Sequence, residues 1–533
     1  MPVKAVWARR LGRYETPNED RPFLFMMGYA TENNMAARSF LLICALTMSG
    51  ATEAIWAQSC VALQSQGSPT VAIMATKVIP AGAFKEPGST AQLPNLPTFC
   101  RVVGRLEPTK DSDIGIEVWL PITGWNGKFL AVGSGGWGGS IAYGAMADAL
   151  RRGYATSATD DGHTGSSASF IMGHPEKLID FAYRAEHEMT LEAKSLIKAF
   201  YGRNPQYSYW NGCSGGGREG LLQAARYPDE FDGIIAGDPA NVRRNAWALW
   251  LANRTFKNVA DVIPSSKYPM IHKAVLEACD AKDGLKDGLI ENPEACQIDF
   301  KKLECTGDDR QDCLTPPQIN TAQTIISPAT DAHGKIFFPR LEPGTELRWG
   351  RLAGGPAPAD LFLDEFRYVV YQTPEWDWRT FNLDSDAAKA AAIDKDIDEL
   401  NPNLTAFAKH NGKLLLYHGW ADQQVAPLST VQFRDSVLEA TSGKGNSAEW
   451  IRLYMVPGMA HCSGGEGPDT FDKIGVMEKW VENGQVPAEI IASHQTAGKV
   501  DRTRPLCPYP QVARYKGAGS IDDAANFSCT SSR

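Results

Sequence analysis

An excess of positive charge is missing from this chain: 53 Lys and Arg stand against 62 Asp and Glu, a net charge of −9. Nucleic acids and anionic membrane surfaces both call for a basic face, so neither is expected as a partner. Long apolar runs are scarce as well. Beyond residues 40–48, no stretch approaches the length and apolarity needed to cross a bilayer. Internal repeats are absent, and so are low-complexity segments other than glycine-rich loops. The longest such loop, Gly133-Ser134-Gly135-Gly136-Trp137-Gly138-Gly139, lacks the Lys-Ser/Thr of a P-loop and is no phosphate cradle. Histidine is rare, at nine residues.

What is present is ordinary globular material. Of 533 residues, 43% are hydrophobic and 22% charged, enough for one large domain with an insertion or for two to three domains. The N-terminus reads as a targeting segment. From Met35 the chain runs Met-Ala-Ala-Arg, then apolar residues 40–48, then small and polar residues to Ala57. A charged start, a short apolar stretch and a small residue for cleavage make residues 35–57 a secretory signal peptide. Residues 1–34 carry mixed charge without periodicity and read as a leader or a mis-set start. A lipid anchor on Cys60 is disfavoured, because Ala57-Gln58-Ser59-Cys60 lacks the usual leucine. Cys44 leaves with the signal. Ten cysteines remain, an even set that reads as disulfides in an exported, secreted or periplasmic chain.

Strand-like runs alternate with helical ones. Residues 113–120, 129–132, 154–157, 207–210, 234–236, 414–418 and 451–456 read as short strands. Residues 177–201 carry apolar side chains at helical spacing, and residues 219–227 form a second helix that Pro228 helps to end. This rhythm predicts an α/β fold, a mostly parallel sheet with helices on both faces. Residues 241–405 break the rhythm with close-spaced cysteines, Asp/Gly clusters and many aromatics. They are expected to form a lid domain inserted into a catalytic domain of residues 58–240 and 406–533. The tail from about Gln495 reads as loop.

The chemistry is expected at Gly212-Cys213-Ser214-Gly215-Gly216, a Gly-x-Ser-x-Gly turn between strand and helix that lifts a serine hydroxyl clear of a sheet. Such a hydroxyl needs a histidine to take its proton and a carboxylate to orient that histidine. In the order serine, acid, histidine, Asp422 and His461 follow strands at the expected places. His418 is the rival base and Asp238 the rival acid. An oxyanion hole would draw one amide from Gly215 and another from the glycine loop, Gly136 in preference to Gly135. Cys213 precedes the serine and Cys462 follows the histidine. A disulfide between them would pin both side chains across roughly 250 residues, removing on the order of 5 kcal/mol of unfolded-state entropy.

In the insert, Cys279-Asp280-Ala281-Lys282-Asp283-Gly284-Leu285-Lys286-Asp287-Gly288-Leu289 gathers three carboxylates around glycine turns, as a Ca²⁺ ion requires. The spacing is not that of an EF-hand.

Together these residues resemble the tannase/feruloyl esterase family, which includes MHETase-like hydrolases of monohydroxyethyl terephthalate. The marks are Gly-Cys-Ser-Gly-Gly, the pair His461-Cys462, and the tail Arg504-Pro505-Leu506-Cys507-Pro508-Tyr509-Pro510. The resemblance implies an α/β-hydrolase fold with a large inserted lid and a triad of Ser214, Asp422 and His461. It also implies pairing of Cys213 with Cys462, Cys60 with Cys100, Cys279 with Cys296, Cys305 with Cys313, and Cys507 with Cys529. A structural Ca²⁺ in the lid would be held by the side chains of Asp280, Asp283 and Asp287 and the carbonyls of Leu285 and Leu289.

The implied activity is a secreted serine esterase acting on small aromatic carboxylic esters of feruloyl type. Alternatives are gallate esters, as for a tannase, the terephthalate monoester, a non-catalytic phenolic-binding envelope protein, and an acyltransferase. Trp349, Phe366, Tyr368, Trp376, Trp378 and Phe381 are available to stack on a phenolic ring, although they read more readily as lid core. Arg340, Arg348, Arg351 and Arg367 are available to clamp a free carboxylate.

Overall fold

The computed structural model describes residues 58–353, 355–398, 401–441 and 447–531. The expected signal segment and the residues before it lie outside these. Nine strands form one mixed sheet: β1 (Val71–Ile79), β2 (Phe99–Leu106), β3 (Ile114–Pro121), β4 (Lys128–Val132), β5 (Ala155–Thr159), β6 (Tyr207–Cys213), β7 (Gly233–Gly237), β8 (Lys413–Gly419) and β9 (Ile451–Val456). Their spatial order is β1-β2-β3-β5-β4-β6-β7-β8-β9. The β1–β2, β2–β3 and β3–β5 pairs are antiparallel, and every later pair is parallel.

Both faces of the central strands are buried, so continuous apolar runs replace alternation. Leu414 and Leu416 of β8 point into one core with the helices Ala185–Tyr201 (α1) and Gly215–Arg226 (α2). Leu415 and Tyr417 point into the opposite core, with the helices Tyr143–Arg151 and Lys473–Asn483. Helices therefore cover both faces, as the rhythm of the sequence predicts.

Three details differ from the sequence reading. The strands β1 and β2 were not legible as such. The helix expected over residues 177–201 is interrupted by a wide turn at Asp180–Arg184, where Arg184 Nε donates to Asp180 at 2.6 Å. The tail contains two hairpins rather than loop, Ile490–Thr496 with Lys499–Leu506 and Gln511–Tyr515 with Phe527–Ser531.

Between β7 and β8 the chain leaves the sheet and builds apolar clusters of its own. One centres on Trp247, Ile271, Phe300 and Trp349, another on Leu249, Phe366 and Trp378. Five disulfides are formed: Cys60–Cys100, Cys213–Cys462, Cys279–Cys296, Cys305–Cys313 and Cys507–Cys529. No helix among the described residues is long and apolar enough to cross a membrane.

Candidate active site

Ser214 sits where β6 turns into α2, at φ 61° and ψ −119°, backbone that side chains rarely adopt. The flanking glycines make the turn possible. A Cβ at Gly212 would lie 2.2 Å from Gly216 O, and one at Gly216 would lie 2.9 Å from Ser134 O. Ser214 N donates to Gly237 O at 2.9 Å, while Arg218 N and Ala240 N donate to Ser214 O. Gly215 opens α2, so its amide has no carbonyl one turn back to receive it.

The glycine loop after β4 lies directly against this helix start. A Cβ at Gly215 would be 3.3 Å from Gly136 N and 3.4 Å from Gly135 Cα. Gly136, at φ 62°, brings its backbone up to Gly215 in a conformation suited to glycine. The loop also touches the insert: Leu361 Cδ1 would lie 3.5 Å from a Cβ at Gly136, and Trp137 Nε1 donates to Leu361 O at 3.0 Å.

Asp422 and His461 come from the loops after β8 and β9, which bind each other through Ala421 N to Met459 O at 3.0 Å. His461 Nδ1 is 2.7 Å from Asp422 Oδ2. Asp422 Oδ1 accepts the amides of Gln424 and Val425 at 2.7 and 3.0 Å. Burial pushes the Asp422 carboxyl up. The charge of His461, with hydrogen bonds from both His418 and His461, nevertheless holds it well below the usual carboxylate range. The bond between Cys213 and Cys462, with Cα atoms 6.0 Å apart, joins the residue before Ser214 to the residue after His461.

The two rivals from the sequence stand behind this set. His418 is fully buried, its Nε2 3.2 Å from Asp422 Oδ2 and 3.6 Å from Asp238 Oδ1, its Nδ1 2.8 Å from Thr430 Oγ1. Asp238 accepts Gly419 N at 2.9 Å, and burial raises its carboxyl. Asp422 is thus shared by two imidazoles, of which His418 is closed off from solvent and His461 belongs to the loop tied to Ser214.

One group of buried acids was not anticipated. Asp161, Glu186 and Glu219 bring carboxylate oxygens within 4.8 Å of one another. The sequence signals were charged residues beside buried small ones, Asp160-Asp161-Gly162 after β5 and Arg218-Glu219 in the glycine-rich start of α2.

The 280–289 loop keeps its acids together. Asp280 accepts the amides of Asp287 and Gly288 at 3.1 and 2.9 Å, and Asp283 accepts that of Leu285 at 2.8 Å. Burial first, then the neighbouring charges of Asp287 and Asp280, push Asp283 up to about 6. Oxygen donors around the left-handed glycines Gly284 and Gly288 fit a hard cation such as Ca²⁺. The three carboxylates are not gathered within 4.8 Å as a set, and Arg504 holds one oxygen of Asp287.

Trp349, Phe366 and Trp378 are core residues of the insert. Arg340, Arg348 and Arg367 are paired with Glu342, Glu466 and Asp360. Arg351 is exposed on an open groove of about 470 Å³ that reaches Gln423, next to Asp422. A cavity of about 500 Å³ lies beside Arg243, Phe337, Glu365 and Leu383 and is lined by none of Ser214, Asp422 and His461. Its volume alone does not make it the site.

The family model for tannase and feruloyl esterase matches residues 100–347 and 351–530. An uncharacterized esterase from Xanthomonas campestris is 38% identical, covering 90% of this chain and 92% of that protein. A probable feruloyl esterase B-2 from Aspergillus fumigatus is 33% identical over 81% of this chain and 86% of its own length. The crystal structure of feruloyl esterase B from Aspergillus oryzae superposes with a TM-score of 0.85 at 30% identity, over 89% of this chain and all of that one. A tannin acyl hydrolase from Aspergillus niger shares the fold, with a TM-score of 0.73 at 24% identity over 87% of this chain and 92% of that one. The chain belongs to the tannase and feruloyl esterase family and is a carboxylic ester hydrolase on an α/β-hydrolase fold.

Proposed function

We propose that this chain is an exported serine esterase that cleaves esters of aromatic acids of feruloyl type through an acyl-enzyme. The observation that carries the reading is the Cys213–Cys462 bond, which ties the strained serine to a histidine already held by Asp422 at 2.7 Å. Ser214 Oγ attacks the ester carbonyl as His461 Nε2 takes its proton. The imidazolium, held through Nδ1 by Asp422, then protonates the leaving alcohol. Water enters by the same route in reverse and releases the acid. The amides of Gly215 and Gly136, side by side at the start of α2, receive the oxyanion.

The relatives named as feruloyl esterases support the substrate class. The insert, reaching the glycine loop through Leu361 and Trp137, acts as a lid over the acyl side of the site. A Ca²⁺ ion on Asp280, Asp283 and Asp287, with the carbonyls of Leu285 and Leu289, would neutralise the acidic loop that joins the insert to Arg504. Five disulfides are suited to an oxidising compartment and support secreted or periplasmic residence.

The test is hydrolysis of methyl ferulate by wild-type protein and by Ser214→Ala. The variant should stay folded, by circular dichroism, and lose roughly four or more orders of magnitude in kcat. Turnover that survives the substitution removes Ser214 from the mechanism, and preferential turnover of methyl gallate would move the substrate class to gallate esters.

A further inference from the structure

An oxyanion hole is only as good as the rigidity of the loop that supplies its second amide, because a donor displaced by an ångström no longer meets the developing charge. In this protein that loop runs from β4 toward Gly136, and one residue of it, Ser134, is bound at three atoms by α2. Ser134 N donates to Glu219 Oε2 at 3.0 Å, and Ser134 Oγ donates to Glu219 Oε1 at 2.5 Å. Gly216 N donates to Ser134 O at 2.8 Å. The helix that presents Gly215 therefore also grips the strand of chain that presents Gly136, two residues beyond Ser134.

The fit around this grip is close. A Cβ at Gly133 would lie 2.6 Å from Gly216 Cα and 2.8 Å from Glu219 Oε2, so the loop rests on the helix with no side chain between them. Glu219 is almost wholly buried, and both of its oxygens are given to Ser134. Its neighbour Arg218 turns elsewhere, donating to Ala182 O and Ile397 O, and comes no nearer to Glu219 than 4.0 Å. Asp161 and Glu186 bring carboxylate oxygens within 4.8 Å of Glu219 and are wholly buried with it, Asp161 lying near the Ser134 hydroxyl as well. Burial first, then the neighbouring acids, raises both of these groups well above the ordinary carboxylate range.

Resting on the reading of Gly215 and Gly136 as the oxyanion donors, we propose that Glu219 is a positioning residue for ester hydrolysis, clamping Ser134 to α2 and so fixing the Gly136 amide opposite that of Gly215. It touches neither substrate nor serine hydroxyl. Its effect is on the transition state, where the oxyanion exists, and not on ground-state binding.

The experiment measures kcat and KM for methyl ferulate in wild type, Ser214→Ala, Glu219→Leu, Glu219→Gln and Ser134→Ala, with folding checked by circular dichroism and thermal melting. Glu219→Leu should lower kcat about 100-fold with KM within about threefold, the scale of losing one oxyanion donor. Glu219→Gln keeps an oxygen for Ser134 N and a second polar atom for Ser134 Oγ, and should recover to within about tenfold of wild type. Ser134→Ala removes only the hydroxyl bond and should give an intermediate loss. The double variant Ser134→Ala/Glu219→Leu should be no slower than Glu219→Leu alone, because both act through one contact.

A kcat unmoved in folded Glu219→Leu, or Glu219→Gln as slow as Glu219→Leu, overturns the proposal. Should Glu219→Leu fail to fold, Ser134→Ala decides: a kcat equal to wild type overturns the clamp, and a loss in kcat at constant KM supports it. Wild-type turnover that survives Ser214→Ala sinks the reading of the site, and the proposal with it. Turnover that depends on Ser214 yet ignores Glu219 sinks the proposal alone.

Discussion

At φ 61° and ψ −119°, Ser214 holds a conformation costing on the order of 1–3 kcal/mol. Three backbone hydrogen bonds to neighbouring strand and helix keep it there. The same economy of position governs the acids. Asp160, at the end of β5, accepts Gly115 N and Gly162 N on one oxygen, at 2.8 and 3.0 Å. Burial outweighs those bonds and pushes its carboxyl up to about 6. A group whose folded value is raised above the ordinary value near 3.9 gives stability that is fully present below about pH 4 and is lost as pH rises through about 6.

Asp160→Asn keeps the accepting oxygen and removes the titration. Between pH 4 and 7, wild type should therefore lose about 2 kcal/mol relative to the variant, measured by denaturant unfolding at each pH. A wild-type-minus-variant difference that stays flat with pH would remove Asp160 from that role. At this scale the sequence was readable where spacing and neighbours carried the message. Ser214, Asp422 and His461 stood in a strand-loop order that leaves few choices. His418 was visible only as a rival, because nothing local says whether an imidazole faces solvent or is sealed behind Asp422. Glu219 was invisible, since its partner Ser134 lies 85 positions away.

Among the elements, a covalent bond joins the turn after β6 to the loop after β9, the two places where the proposed serine and histidine sit. Replacing Cys213 and Cys462 together by Ser should lower unfolding stability by roughly 5 kcal/mol on the chain-entropy model. It should also depress kcat, because the His461 loop loses its covalent tie to the turn that carries Ser214. Thermal melting and methyl ferulate kinetics read the two effects separately, and a variant unchanged in both disproves the tether.

The parallel strands were legible because burial on both faces writes itself as short apolar runs. The antiparallel strands β1 and β2 were not. Eight of the nine residues of β1 are at least partly exposed, without strict alternation, and its place is set by pairing with β2 across the sequence. The turn at Asp180–Arg184 escaped notice for a related reason. The apolar period continues through it, while Ser112, far away in sequence, donates to Asp180 and favours the wider coil.

For the molecule as a whole, the acidic 280–289 loop is where insert and tail meet. Arg504 and Arg502 of the tail hairpin bind Asp287, and Arg514 donates to Asp283 O. Adding Ca²⁺ to chelator-treated protein should raise Tm by several °C, with the gain growing logarithmically with free Ca²⁺ as for any ligand that binds only the folded state. Asp283→Asn should blunt the rise. A melting curve indifferent to both Ca²⁺ and chelator would leave the loop as a salt-bridged turn.

The Cys213–Cys462 bond encloses the entire insert within its loop. The residues that carry Ser214 and His461 are thereby joined through sulfur, on the sheet side of the insert. On the proposed reading of Ser214 and His461, the insert could vary in size and sequence without breaking the covalent link between the two loops that carry them.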